Sequence, residues 1–408
     1  MLFVTMLCYM FFYTGRHNFG WAAKTMASDL HISYETIGWI SFSMLVGYAL
    51  GQLINGNMAD HFSPRIMVPL GGLLSVACNI AISFTSSFYA VLILWALNGY
   101  FQSMAWAPGS RLISNWWSKD EKGRAFGFYT MAAGTSSVVT FLLSVILLQQ
   151  ELEWRWLFRI PVMFLLGGII VFYIFARNKP SDIGFKDLSS EASVLAETGW
   201  KERYKAVFLN RSFMIACIAM GFESMARYGL VFWVPIHYLG QDWKKDPHSL
   251  WVTILMPLGM AIGALTFGNL SDSLFKANRP ASIRFGILVS AGITVLIYFT
   301  PVDNLLAGGT LLLLAGFFVY GPQANFWPMS PDLLGDKYVG TGIGIMNMSA
   351  YLFAALGEPL LGKVIDVTRN TGAVFLIIAL LCIMCAIVVS FVKTAAPQTS
   401  PQAEPVLS

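Results

Sequence analysis

The chain has 408 residues, 56% of them hydrophobic and 12% charged, with a mean hydropathy of +0.63. A water-soluble protein of this length needs far more charge to cover its surface, so a soluble globular fold is excluded. The net charge of +4 informs through its placement rather than its size, and no nucleic-acid partner is expected.

Several apolar runs reach the ~20 residues that a helix needs to cross ~30 Å of hydrocarbon. Bounded by turn residues or charges, the runs fall at 2–27, 36–59, 66–85, 88–117, 123–149 and 156–176, then at 212–239, 250–271, 282–301, 305–331, 339–361 and 372–393. The expected fold is an all-α membrane protein of twelve transmembrane helices in two pseudo-symmetric six-helix bundles. The first bundle occupies 1–176 and the second 212–394. Between them, 177–211 is polar, with Lys179, Lys186, Lys201, Arg203 and Lys205, and reads as a cytoplasmic linker with a short surface helix near 199–208. The three prolines of 395–408 mark a disordered cytoplasmic tail. Arg16 interrupts what would be the apolar region of a cleavable signal peptide, so none is expected, and the start inside an apolar run suggests a missing native leader.

With both termini in the cytoplasm, the inner side holds 16 Lys/Arg and the outer side seven, the remaining three (Arg16, Arg111, Arg227) falling within spans. Positive charge retained inside favours this orientation. Compact loops favour a bacterial inner membrane. Cys8, Cys78, Cys217, Cys382 and Cys385 all lie in apolar spans, so no disulfide framework is expected. The five histidines show no metal-ligand spacing, and neither a metal nor a cofactor is expected.

The two halves repeat. Gly56-x-x-x-Asp60 with Arg65 follows the second span, and Gly268-x-x-x-Asp272 with Arg279 follows the eighth. Arg16 precedes Asp60 by 44 residues, Arg227 precedes Asp272 by 45, and Pro108 and Pro328 stand 220 apart. Landmarks at matched offsets imply parallel structural repeats. The Gly56–Arg65 stretch resembles the loop motif of the major facilitator superfamily. Gly56, Asp60, Arg65 and Asp272 are therefore expected to gate: an aspartate at a cytoplasmic helix end pairs with basic groups or helix ends across the bundle and latches one conformation. The plain alternative is a solvated turn. Gly259–Gly268 and Gly340–Gly344 permit either bending or close helix packing, and packing is the expected use.

Arg16 and Arg227 sit mid-span, each ~15 residues or ~22 Å along a helix from its span's start. An unpaired guanidinium at that depth costs several kcal/mol, so each must face a cavity, a partner or a substrate. At matching places in the first helix of each half, they would converge on one central cavity and clamp an oxyanion between two forks of donors. Two separate buried ion pairs are the alternative. Arg111 lies close enough to its span's end to reach the interface and is read as structural.

Around these residues the chain resembles the organophosphate:phosphate antiporter family, which includes glycerol-3-phosphate and hexose-phosphate transporters. The likeness is carried by Tyr9-x-x-x-Tyr13-x-x-Arg16-His17-Asn18-Phe19, by Gly99–Gly123, by Arg227–Gly240, by Tyr320–Gln323 and by Gly340–Gly344. The resemblance implies that Arg16 and Arg227 bind phosphate and that Tyr9, Tyr13, Tyr48 and Tyr351 line the cavity, although tyrosines also serve as packing or interface residues. Two departures stand out. Gln52 occupies the place of a cavity lysine four residues after the tyrosine aligned with Tyr48, and Ala133 that of a fifth-span histidine. His17 replaces another basic residue beside Arg16.

The chain instead adds acids. Glu223 lies one turn before Arg227, as a permanent salt-bridge partner or a proton-coupling group. Glu358 lies in the eleventh span before Pro359, as a functional carboxylate or a contact near the outer end. An ionised Glu223 would leave the two arginines a net +1, which suits a monoanion better than a phosphate dianion. The leading expectation is uptake or exchange of a small organic anion, a sugar phosphate or glycerol phosphate moving against inorganic phosphate, by alternating access in a monomer embedded in the lipid bilayer. The alternatives are a proton-coupled symporter of a sulfonate or carboxylate using Glu223, and a transporter-like sugar-phosphate sensor. No nucleophile–base pair, metal cluster or nucleotide loop suggests an enzyme.

Overall fold

The computed structural model describes residues 1–117, 119–186, 200–238, 251–276, 278–335 and 338–393, except for the side chains of 56–57, 59–61, 119–124, 126–127, 130–131, 133–134, 200 and 339–340. The tail at 395–408, much of the linker, and the side chains of Gly56, Asp60 and Ala133 therefore lie outside the described residues. Within the described residues the chain is helical and contains no strand.

The first half comprises α1 (Leu2–Phe12), a 3-10 turn (Tyr13–Gly15), α2 (Asn18–Asp29), α3 (Tyr34–His61), α4 (Pro64–Ile82), α5 (Phe88–Gln102), α6 (Trp106–Trp116), α7 (Lys119–Gln149) and α8 (Trp156–Phe175). A 3-10 turn (Pro180–Ile183) and α9 (Trp200–Leu209) follow, α9 falling at the short linker helix expected near 199–208. The second half comprises α10 (Arg211–Tyr238), α11 (Leu255–Ser273), α12 (Arg279–Phe299), α13 (Leu305–Tyr320), a 3-10 turn (Gly321–Asn325), α14 (Met329–Leu334), α15 (Val339–Thr368) and α16 (Ala373–Val389). Helix starts follow local chemistry. The Ser33 side chain caps α3 through Thr36, Pro64 opens α4, and Asn278 and Asn304 cap α12 and α13.

Among the described residues, seven helices are long and apolar enough to cross a membrane, and two shorter apolar helices accompany them. Three runs read as continuous spans are in fact broken. The run at 2–27 breaks at Tyr13–Gly15, that at 88–117 at 103–105, and that at 305–331 at Gly321–Asn325. At the first two breaks a buried amide donates to a backbone carbonyl, Gln102 to Phe12 and Asn55 to Tyr100, and at the third Pro322 supplies no N–H. Asn55 donates to Ser103 Oγ at 2.6 Å beside the second break, and Asn325 donates to Ser282 Oγ at 3.0 Å at the third.

The closest contact between the halves is α3 against α15. A Cβ at Gly38 would come within 2.5 Å of the Glu358 carbonyl, and one at Gly362 would overlap the Tyr34 carbonyl. Small residues let the two backbones approach this closely. The contact is tied by Asp366 of α15, whose carboxylate accepts the N–H of Tyr34 at 3.1 Å and of Glu35 at 2.7 Å. These are two of the N–H groups that the start of a helix leaves without intrahelical partners, and negative charge is favoured there. Beside this contact, α2 meets α10 where Phe19 stacks on Phe232 with ring centroids 5.4 Å apart.

Because the α3–α15 approach depends on hydrogen side chains, Gly362→Val should cost about 1–3 kcal/mol through overpacking. A thermal melt in detergent should show a drop of several degrees. Gly344→Ala, on the same helix where an added Cβ meets nothing within 4 Å, should leave the melting temperature unchanged.

Candidate functional site

The site begins at the break in the first span. Where the chain leaves α1, the Phe12 carbonyl accepts from Gln102 Nε2 at 2.8 Å, and the Gly15 carbonyl accepts from Asn98 Nδ2 at 2.9 Å and Asn79 Nδ2 at 3.2 Å. Asn18 Nδ2 ties the start of α2 to Asn79 Oδ1 at 3.1 Å and to the Leu157 carbonyl at 2.9 Å. All four amide side chains are buried. Freed carbonyls away from water are costly unless given new donors, and α4 and α5 supply them. Arg16 follows at φ −124°, ψ −53°, outside the helical region, so the break sets the direction in which its side chain leaves the backbone.

The Arg16 guanidinium lies over the rings of Tyr48 (4.2 Å to the centroid) and Tyr13 (4.8 Å), and its Nη1 donates to the Tyr351 hydroxyl at 3.3 Å. Its Nε has no partner, and the residue is 5% exposed. Arg227 leaves α10 without any break in the helix. Its guanidinium lies over Tyr228 at 4.3 Å and Tyr320 at 5.4 Å. Tyr351 packs on Tyr48 at 4.4 Å and on Tyr228 at 5.6 Å, so one aromatic wall from α3, α10 and α15 carries both arginines. A guanidinium on a ring face keeps its in-plane donors free for another acceptor.

The remaining expected residues are placed as follows. Tyr9 stands a turn below Tyr13, hydroxyl to hydroxyl at 3.5 Å, inside an aromatic group with Trp106 and Tyr129. The His17 ring lies 5.0 Å from that of Tyr13, its Nδ1 is 2.9 Å from Ser137 Oγ, and its Nε2 has no partner. Gln52, a turn beyond Tyr48, has a buried Nε2 without a partner. Glu223 is fully buried, with Oε1 3.6 Å from Arg227 Nε and Oε2 accepting from Ser224 Oγ at 2.9 Å. The Arg227 contact is an ion pair too long for a hydrogen bond. Glu358, 1% exposed, accepts from Trp233 Nε1 at 3.1 Å. Arg16, His17, Tyr228, Phe232 and Glu358 line a cavity of about 30 Å³.

The gate residues lie elsewhere. Arg65 donates through Nε to the Tyr173 carbonyl at 3.1 Å, and Asp272 pairs with Arg279, each within its own half.

Sequence reasoning did not single out Tyr228, Tyr320, Trp233 or Ser137, nor the amides Asn79, Asn98 and Gln102. Tyr228 and Tyr320 stood inside the quoted motifs, and the i+1 position beside Arg227 was the available signal. Gln102 also stood inside the quoted Gly99–Gly123 stretch, whereas Asn79 and Asn98 carried no signal, since a lone Asn in an apolar run does not reveal which distant carbonyl it serves.

Residues 5–358 match the Major Facilitator Superfamily. The chain belongs to this superfamily. Among similar proteins, a probable hexose phosphate transport protein of Chlamydia pneumoniae is 25% identical over 93% of this chain and 87% of its own. The glycerol-3-phosphate transporter of Bacillus subtilis is 25% identical over 91% and 87%, and the membrane sensor protein UhpC of Escherichia coli 25% over 96% and 91%. In three dimensions, a bacterial homologue of the human lysosomal transporter Spinster, in an inward-facing occupied conformation, superposes with a TM-score of 0.78 over 97% of this chain and 98% of its own at 14% identity. This major facilitator protein is thus a multi-pass membrane transporter rather than an enzyme, and it is similar to proteins named for hexose phosphate and glycerol-3-phosphate transport.

The amides at the break generate a measurable expectation. Asn98→Leu keeps the branched shape but removes a donor from the buried Gly15 carbonyl and the acceptor for Ser75 and Asn79, at a cost of about 1–3 kcal/mol. The melting temperature should fall, and an unchanged value would mean that packing alone holds the break.

Proposed function

We propose that this major facilitator protein moves a small organic anion across a bacterial inner membrane, with Arg16 and Arg227 as the clamp. The observation that carries this reading is the shared aromatic wall: both guanidinium groups rest on tyrosine faces joined through Tyr351, and neither is hydrogen-bonded to a carboxylate among the described residues. Twelve spans in two bundles, with both termini cytoplasmic, give the frame. A substrate that attracts both arginines draws the first and seventh spans together, and the bundles then rock about the site. Tyr9, Tyr13, Tyr48 and Tyr351 shape the cavity, while His17 and Gln52 offer neutral donors. Gly56, Asp60, Arg65 and Asp272 stabilise a closed inner face. The α3–α15 contact, with Asp366, closes the outer one.

Organophosphate is the favoured cargo class, because the similar proteins named above include hexose phosphate and glycerol-3-phosphate transporters. Inorganic phosphate would then be the exchange partner. One observation favours a second reading: Glu223 stands 3.6 Å from Arg227, and Gln52 replaces a cationic group. Both lower the positive charge available to a dianion, which suits proton-coupled symport of a sulfonate or carboxylate. A sensor role has the similarity to UhpC on its side.

Purified protein should be stabilised against heat by phosphate esters in preference to sulfonates and simple carboxylates. Arg16→Ala and Arg227→Ala should each weaken binding by about 30-fold or more, since a charged acceptor loses a buried bidentate partner. Binding that survives both substitutions would refute the clamp. Arg16→Lys should also fail to restore full affinity, because a point charge cannot reproduce the fork.

In proteoliposomes, counterflow separates a transporter from a sensor, which binds without moving substrate. If Glu223 carries a proton, Glu223→Gln should abolish substrate-driven proton movement while leaving exchange. Unaltered proton movement would confine Glu223 to pairing with Arg227.

A further inference from the structure

The 30 Å³ cavity beside Arg16 has a second polar pole that the anion clamp does not use. Glu358 faces it from α15, 1% exposed, with Trp233 Nε1 as its hydrogen-bond donor and no basic side chain paired with it among the described residues. One indole N–H leaves most of a carboxylate's acceptor capacity unfilled. A buried carboxylate without a cation is expensive and is kept where it has a partner to meet. The walls of this cavity include aromatic rings. Four aromatic residues contribute, Phe19 stacking on Phe232 at 5.4 Å and packing on Trp95 at 5.1 Å with Tyr228 beside them, and Ser41, Met44, Leu45 and Val231 also line it.

The geometry points to an ammonium-binding subsite at Glu358, so that the transported anion is a zwitterion: a phosphate ester or phosphonate carrying a primary amine on a short chain. This rests on the two-arginine anion site proposed above. Three features define the fit. A carboxylate with aromatic faces around it is the environment that attracts a cation, through charge and through the ring quadrupoles. Glu358 and Arg16 border the same cavity, so a cation at the one and an anion at the other lie within one small ligand's reach. An amine on the ligand also brings the charges closer to balance. With Glu223 and Glu358 both ionised, they offset the two positive charges of Arg16 and Arg227, and a phosphate dianion alone would enter a site of zero net charge. An aminoalkyl phosphate would meet Arg16, which borders this cavity, with its anionic end and Glu358 with its cationic end.

The test uses the full-length protein in detergent and matched probe pairs: 2-aminoethyl phosphate against ethyl phosphate, and 3-aminopropyl phosphate against propyl phosphate, with glycerol 3-phosphate as the hydroxyl-bearing comparison. Wild type should bind at least one amine tighter than its alkyl partner by about tenfold or more, as expected for a desolvated charge pair. In Glu358→Gln, which keeps the acceptor for Trp233 and removes the charge, that ratio should fall below about threefold. Phe19→Leu, which removes one ring wall and leaves the carboxylate intact, should lower the ratio as well and serves if Glu358→Gln does not fold. No amine preference in wild type, a glycerol 3-phosphate affinity equal to that of the amines, or a preference that persists in Glu358→Gln overturns the ammonium subsite. The anion site would still stand in those cases if Arg16→Ala abolishes binding of every phosphate. If wild type binds no phosphate, or Arg16→Ala binds all of them unchanged, the anion site itself fails and the subsite with it.

Discussion

Two guanidinium groups that cannot lose their charge, held far from either end of their helices, are the constraint to which the rest of the molecule answers. Arg16 and Arg227 are 5% and 8% exposed. In a membrane interior neither water nor lipid compensates them, so the protein must. It does so mainly with tyrosine faces rather than with carboxylates. Ring faces stabilise a cation without consuming its in-plane donors, whereas a hydrogen-bonded carboxylate would occupy the fork that an arriving anion needs. Glu223 illustrates the intermediate case. At 3.6 Å from Arg227 Nε it lowers the cost of the buried charge but does not take up the terminal nitrogens.

The arginines occupy equivalent places in sequence, yet the structure presents them differently. Arg227 projects from an uninterrupted helix of 28 residues. Arg16 follows a 3-10 turn whose freed carbonyls are taken by Asn79, Asn98 and Gln102. Arg227 is thus fixed by a continuous backbone, and Arg16 by a buried amide network reaching into α4 and α5. A shift between α4 or α5 and the first span would change the break, and the break would redirect Arg16.

Much of this was legible in the sequence. Composition demanded a membrane protein, because apolar content on this scale has an energetic consequence visible without coordinates, while the matched landmarks and the mid-span arginines raised a repeat and a site as expectations. The breaks at Tyr13–Gly15 and Gly321–Asn325 were not legible. Hydropathy sees the apolar run and not the backbone within it, and the donors that make a break affordable come from residues more than 60 positions away. Tyr228 was hidden for a related reason. A tyrosine beside an arginine has many uses, and only its packing against Tyr351 makes it part of the wall.

Glu358 shows how sequence and structure combine. Hydropathy singled it out as a lone acid in an apolar run, and two uses remained open. Its position then matters more than its charge. It lies where α15 approaches α3 so closely that Gly38 must lack a side chain, it is fixed by Trp233 from α10, and it borders the cavity that Arg16 also borders. Elements from both halves therefore meet around a single carboxylate. Whatever neutralises that carboxylate acts on the contact between the halves as well as on the substrate. A cation delivered there by the cargo would couple occupancy to closure of the α3–α15 contact, because the uncompensated charge and the close helix approach share the same few residues.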